Sequence, residues 1–530
     1  MNALSTFFAA CTLIICLLMP VIITAQDGTL DPTFDVDGRV STTTGLLDCS
    51  GTSMVIREDP LNPLHLNLRK IIVAGQTFNG MDSDFMIAQY NNDGSLDNSF
   101  GNNGIVITPV GGFDDRASAI VLQNDGKIVV AGASSDGLKE SIAIVRYNSN
   151  GSLDLTFNTT GKVITSISAV ADNASSVAVQ NNGKILVAGF SDMVQNLDFT
   201  VVRYNSNGTL DNTFDTDGIV TTPIGNSNDI ATKVMLQSDG KIVVTGSSLR
   251  ANNMDFAMAR YMSDGSLDLT FDSDGKVTTA INGSFNEYGF SGLIQNDGKI
   301  LITGSSNSTF NDCIVARYNT DGSLDPFFGV NGIAITDFGI AADYGQAIDI
   351  ALQKDDKIVV CGLRNDGAAL NYAVVRYHVN GLIDSTFGTD GIVTTDFGSA
   401  DDEGHAVAMQ SDGKIVVAGG SHDGMQKRVS VARYNNPSVS PVRVEFDRIE
   451  SDNSVTPNPF HILTTIRTAN ILQNATIEIH NSIGKKVRQV NGVNGQSFTL
   501  QRDTLPAGLY FIRVVQGYSI LFSEKILIVD

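Results

Sequence analysis

One unit recurs seven times along this chain of 530 residues, and it constrains the fold more than any other feature. Its marks are a Lys-Ile apolar stretch ending in Gly and a second stretch ending in Tyr. The lysines are Lys70, Lys127, Lys184, Lys241, Lys299, Lys357 and Lys414, spaced 57 or 58 residues apart. The tyrosines are Tyr90, Tyr147, Tyr204, Tyr261, Tyr318, Tyr377 and Tyr434. Self-similarity at a period of this length signals an array of identical supersecondary units.

Each unit reads as four short strands, for example GIVITPV, ASAIVLQ, KIVVAG and SIAIVRYN, joined by turns such as NDG and NSNG. The β-branched content, and the lack of any sustained 3.6-residue apolar period, predict an all-β chain. A four-stranded sheet with two apolar faces must stack on its neighbours. Seven equal units then predict a closed seven-bladed β-propeller, with an open β-solenoid as the alternative.

The chain ends support closure. Each Tyr is followed by a linker of the form DGSLDxTF, with Phe at 100, 157, 214, 271, 328 and 387, but after Tyr434 the chain reads NNPSVS. The missing linker stands near the N-terminus as DGTLDPTF, residues 27–34, with Leu30 and Phe34 in place. A ring needs such a piece to join its ends. With its DGKIVVAG, RYN and DGSLDxTFG signatures, the stretch 27–436 resembles the delta-sixty repeat β-propeller family, a resemblance that implies a fold and no settled activity.

Two further regions flank the repeats. Residues 1–25 are uncharged, with an apolar run from Phe7 to Leu18, and read as a secretory signal peptide cleaved between Ala25 and Gln26. No second long apolar segment follows, so no transmembrane segment is expected in the mature chain. Residues 26–436 are assigned to the propeller and 437–453 to a linker. Residues 454–530 show alternating short strands consistent with a small β-sandwich. This last region resembles the type A C-terminal sorting domain of the Bacteroidetes type IX secretion system. The resemblance lies in Pro457, Asn458, Pro459 and Phe460, in the hairpin at Gly484 and Lys485, and in the strand carrying Leu505, Pro506, Gly508 and Tyr510. It implies export across both membranes to the medium or the outer cell surface, with the secretion machinery as partner.

Charge excludes one class of function. With 57 acidic and 35 basic residues the chain carries a formal charge of −22, so no basic field is available for nucleic acid. Three cysteines outside the leader, Cys49, Cys313 and Cys361, are too few and scattered for a disulfide framework or a metal site. The latter two sit in strand-like runs and read as buried apolar residues.

In a four-stranded blade the connections alternate between the two ends of the ring. The regular NDGK and DGSLDxTF sequences share one end and read as hairpin and linker chemistry. The variable loops share the other, and loops on a rigid scaffold are where binding resides. Their acidic residues Asp114, Asp115, Asp229, Asp343, Asp401, Asp402 and Glu403 form the candidate interaction face for an unknown surface protein or glycan. A solvated acidic surface is the plainer alternative.

No resident cofactor is expected. Closely spaced carboxylates make Asp93 with Asp97, Asp264 with Asp268, and Asp321 with Asp325 the candidates for Ca²⁺, against the reading that these residues serve turns. Nine extra residues near REDPLNPLHLNLR lengthen the first unit at the regular end. The six histidines lack HExxH spacing, and no GxSxG or phosphate-cradling loop occurs. Near-equal blades are expected to present near-equal groups to the axis, which disfavours catalysis. The leading expectation is an exported binding module. The alternatives are a hydrolase or lyase with its site at the axis, and a structural Ca²⁺-dependent surface protein.

Overall fold

The computed structural model describes residues 26–436 and 454–529, apart from 46, 59–68, 194–195, 282, 284, 308–311, 338–344, 366, 399, 482–484 and 517–518. The leader with Ala25, the 437–453 linker, Asp343, Gly484 and most of the first-unit insertion thus lie outside the described residues. The chain divides into two compact units, Met1–Pro441 and Val442–Asp530. All of the regular structure described is β.

The first unit is a ring of seven four-stranded antiparallel sheets. Blade one runs outward from the inner strand Cys49–Arg57 through Lys70–Phe78 and Ser83–Asn91 to the outer strand Ile105–Thr108. The strand GIVITPV therefore closes the blade before it, because Ile105–Thr108 pairs with Phe85–Ala88 of the RYN-type strand. The repeat read from the sequence and the sheet differ by one strand. Inner strands touch inner strands all round the ring, including first with last, which places them along the axis.

Closure is made by the N-terminal segment. Arg39–Thr42 is the outer strand of blade seven, paired with Val429–Ala432, and Leu30 bridges to Tyr434.

Every inner strand carries a bulge. The ladder slips between Ala117 and Ala119, Ala174 and Ser176, Ala231 and Lys233, and at the matching place in the other blades. One extra residue is thus inserted at the axial edge. The bulge explains the Gly that ends each Lys-Ile strand: a Cβ on Gly132 would lie 1.9 Å from the Arg116 carbonyl oxygen, and one on Gly189 equally close to that of Asn173. Only a residue without a side chain fits there.

The apolar cores lie between blades. Ile72, Phe85 and Phe100 of blade one pack with Ile120, Ile128 and Val145 of blade two, and Val359 and Phe387 of blade six pack with Val417 and Ala432 of blade seven. Six of the seven repeat tyrosines are seen to tie adjacent blades through their hydroxyls, as Tyr147 does to Thr108 at 2.8 Å and Tyr204 to Thr165 at 2.7 Å.

The second unit holds five strands, Ser454–Thr456, Leu463–Asn481, Lys486–Gln501, Gly508–Gln516 and Ser519–Ile528. They pair in one continuous ladder, and the two long strands carry several register shifts along their pairing. Its own core includes Phe460, Ile477, Leu500, Ile512 and Ile526.

Candidate functional site

The regular end of the ring is an interlocking electrostatic network. In blade two, Asp154 accepts from Arg146 Nε at 2.7 Å, lies 3.1 Å from Lys127 Nζ, and takes the N–H and hydroxyl of Thr156 at 3.0 and 2.7 Å. Arg146 also donates to the Ser206 carbonyl of the next blade at 2.5 Å and lies over the Phe157 ring. The Lys of KIVVAG, the Arg of RYN, and the Asp and Phe of DGSLDxTF are therefore parts of one device. Burial opposes ionisation of Asp154, but the Thr156 hydroxyl and N–H, Lys127 and Arg146 outweigh it and hold the carboxyl below the usual range.

The same contacts occupy the residues considered for Ca²⁺. Asp97, Asp268 and Asp325 lie 2.9, 2.9 and 2.7 Å from Lys70, Lys241 and Lys299. Asp93, Asp264 and Asp321 each accept the N–H and hydroxyl of the Ser two residues on. A carboxylate neutralised by an ammonium group has little charge left for a cation. Among the described residues, no group of three or more His, Cys, Asp or Glu is placed to hold a metal ion.

Clefts open between blades at this regular end. One of about 690 Å³ between blades four and five is lined by Gln237, Arg260, Gln295 and Asp321, and its counterpart of about 470 Å³ lies between blades two and three. Their guanidinium groups are already committed to the network, since Arg260 donates to Asp268, Thr270 and the Thr320 carbonyl.

At the variable end the candidate acidic residues separate by role. Asp115, Asp229 and Asp402 are fully buried and accept loop N–H groups: Val110 and Gly111 donate to Asp115, Ile224 and Gly225 to Asp229, and Phe397 to Asp402. They anchor loops from within and offer nothing to a ligand. Burial pushes the Asp402 carboxyl up to about 6, with Asp396 and Asp401 adding to it. Asp114 and Asp401 accept the N–H of Ser83 and of Leu370, both at 2.9 Å, from the hairpin of the preceding blade. Glu403 is half-buried, 3.3 Å from His405 Nε2.

Sequence reasoning missed two features of this end. The first is a set of exposed apolar tips. Met425, Met81 and Leu138 are 89%, 88% and 95% exposed on the hairpins of three consecutive blades, seven, one and two. The dipeptides Gly-Met and Gly-Leu between polar residues were their only sequence signal. The second is the axial edge. The bulged residues are Thr52, Ser118, Ser175, Thr232, Phe290, Ile348 and His405, all half-buried; blades one to four present a hydroxyl there, in keeping with near-equal groups, while blades five to seven depart from it. Several join neighbouring inner strands: Thr52 donates to the Ala117 carbonyl at 2.7 Å, Thr232 to Gly289 at 2.9 Å, and His405 Nδ1 lies 2.8 Å from Gly51 O. One residue further along, Lys233 of blade four and Asp349 of blade six approach to 3.9 Å, with Ser291 of blade five on Asp349 at 2.7 Å.

In the second unit the sorting-type motifs are built into the fold. The Asn458 side chain accepts the Leu527 N–H and donates to Lys525 O. Pro457 O accepts the Thr464 hydroxyl, Phe460 is buried in the core, and the Tyr510 hydroxyl donates to Pro506 O at 3.0 Å. Lys485 donates its N–H to the Asn481 side chain, while Leu505 is buried and Pro459 and Gly508 lie nearer the surface.

No helix of the described residues is long and apolar enough to cross a membrane. No functionally curated protein matches the chain. Among solved structures it is similar to a protein of unknown function from Dyadobacter fermentans, at 10% identity and a TM-score of 0.43, over 75% of this chain and 98% of that one. An ulvan lyase of polysaccharide lyase family PL25, solved with a GlcA-Rha3S saccharide, is 12% identical with a TM-score of 0.42, over 74% and 95%. A protein from Lactobacillus plantarum is 13% identical with a TM-score of 0.42, over 69% and 99%. Residues 69–100, 123–157, 180–214, 237–271, 295–328, 353–387 and 410–436 match the β-propeller domain of unknown function DUF5122, and residues 454–529 match the secretion system C-terminal sorting domain. The chain is a secreted or cell-surface protein that carries a DUF5122 β-propeller repeat domain and is exported through a C-terminal sorting domain of the type IX secretion system.

Proposed function

We propose that the propeller is an extracellular interaction module that binds through its variable end, and that the mature chain begins at Gln26 after removal of residues 1–25. The secretion machinery is the partner of the C-terminal unit, which occupies residues 454–530. The observation that carries the reading is the row of almost fully exposed apolar tips on three consecutive hairpins of the variable end; the regular end exposes apolar residues too, such as Val36, Phe327 and Val330, but singly on its linkers. At the regular end the signature side chains are consumed in holding blades together. At the other end, Met425, Met81 and Leu138 stand in solvent on consecutive hairpins, where large apolar side chains contribute nothing to folding.

An axial hydrolase or lyase is the second reading, favoured by the departure of Phe290, Ile348 and His405 from the hydroxyl residues of the other bulges. Against it, Glu403 is held ionised by its hydrogen bond from His405 and by Lys427, so it does not serve as a proton donor. Arg116, a cation suited to a uronate substrate, is engaged by Glu140 at 2.7 Å and Asp114 at 3.5 Å.

The test is a screen of surface glycans and peptides against the full chain, by thermal shift and immobilised binding. A ligand found this way should bind at least tenfold more weakly to M81D, L138D and M425D, each of which melts like the parent. Binding that ignores all three substitutions but is lost on changes at the regular end overturns the proposal.

A further inference from the structure

The bulges give the axial edge a division that the repeat itself does not have. Blade five contributes two aromatic rings from one strand, Tyr288 and Phe290, with centroids 6.3 Å apart and planes within 14° of parallel. Blade seven contributes a carboxylate and an imidazole in the same two positions, Glu403 and His405. All four are half-buried, neither sealed in a core nor fully in solvent. The two pairs are two blades apart. So are Lys233 and Asp349, whose meeting at 3.9 Å one step further along the inner strands shows that side chains two blades apart reach each other across the axis. The Lys233, Asp349 and Ser291 cluster lies on the same inner strands, and the aromatic and acid–imidazole pairs precede it on theirs, toward the variable end.

We infer that this axial recess binds a neutral saccharide; the inference rests on the variable end being the binding end. A pyranose ring has an apolar face and a rim of hydroxyls, and an aromatic pair with a hydrogen-bond acceptor at the matching position two blades away along the axis meets both demands. Glu403 is kept as an ionised acceptor by the His405 hydrogen bond, so its oxygens can take vicinal hydroxyls. His405 Nδ1 faces the Gly51 carbonyl and Nε2 faces Glu403, which fixes the imidazole in place. Charge narrows the ligand further. A uronate or sulfated sugar would meet Glu403 head on. A cationic ligand would have to compete with Lys427, which lies 4.0 Å from the same carboxylate.

The experiment is titration of the full chain with neutral glucan, mannan and xylan oligosaccharides, alongside polygalacturonate and a lysine-rich peptide. The readouts are calorimetry and tyrosine fluorescence, which no tryptophan obscures. At least one neutral series is expected to bind, with affinity reduced tenfold or more in Y288A and in E403Q at an unchanged melting temperature. Y288L, which keeps bulk without an aromatic face, guards against loss through misfolding and should also weaken binding. Binding of the polyanion or the basic peptide in place of neutral sugars overturns the inference, as does neutral-sugar binding that survives Y288A. Failure of every saccharide overturns it as well. If a protein or peptide ligand then proves sensitive to M81D or L138D but not to Y288A, the variable end stands as the binding end and only the saccharide falls.

Discussion

At the scale of single residues, the repeat signatures are solutions to specific steric and electrostatic problems. Gly189 faces the Asn173 carbonyl oxygen so closely that a Cβ would lie 1.9 Å from it. G189A should therefore destabilise the propeller by about 3 kcal/mol or fail to fold, while G80A, at a glycine with open space around it, should cost less than about 1.5 kcal/mol through its positive φ alone. Chemical denaturation of both variants checks the pair. Asp211 presents a buried charge problem: it is bonded by Arg203 and Lys184, both at 2.6 Å, and D211A leaves a buried guanidinium without its carboxylate. The expected cost is about 3–5 kcal/mol. Asp402 behaves in the opposite sense. Its folded value of about 6 exceeds the ordinary aspartate value, so the folded chain takes up a proton before the unfolded chain does. Stability should rise as pH falls through about 6 and level off below about 4, where the Asp in the unfolded chain is also protonated. Melting curves between pH 7 and pH 5 should show this rise in the parent and lose that component in D402N.

Blade one shows that a structural element can be conserved as a function of the fold while its residues change. Where the other blades place Arg on Asp, it has Gln89, which donates to Asp97 at 2.8 Å but cannot reach the next blade. The guanidinium arrives from the inner strand: Arg57 donates to Gln89 Oε1 at 3.0 Å and to the Ser149 carbonyl at 3.1 Å, the counterpart of the Ser206 carbonyl that Arg146 holds. R57A should destabilise the ring by about 2 kcal/mol, and adding Q89R should recover most of the loss. A double mutant no more stable than R57A would sink the compensation. Substitutions of this kind mark the limit of reading from the sequence. The strands, turns and N-terminal closure were legible because ladder pairing and turn chemistry repeat with the period. Leu30 and Phe34 carried the closure in plain sight, and Leu30 does bridge to Tyr434 while Phe34 lies under Arg433, which binds Asp31 at 2.7 Å across the seam. The axial edge was not legible, because a bulge adds a residue and turns it inward without altering the apolar pattern on either side. The acidic loop residues misled for a related reason: Asp115 and Asp229 look exposed beside Gly and Asn, yet backbone N–H groups had drawn them inside.

On the scale of the whole molecule, the placement of the apolar cores decides how the propeller unfolds. Each blade shares both of its faces: Ile144 and Val202 sit together between blades two and three, while Ile72 and Val130 do so between one and two. No blade therefore has a core of its own, and a chain of such units loses stability at every interface it opens. A ring differs from an open array because it has no terminal unit to fray. The seam is closed by the same Lys, Arg, Asp and Phe device as the junctions of blades two to six, with Lys414 and Arg433 on Asp31. The propeller should accordingly melt in a single calorimetric transition, and the C-terminal unit, whose core is made from its own residues alone, in another. D211A in blade three and D31A at the seam should each lower the propeller transition as a whole and leave the other in place. If D31A instead splits the propeller signal, with blades two to five melting at the parental temperature, the junctions do not act as one ring and the shared-core account fails.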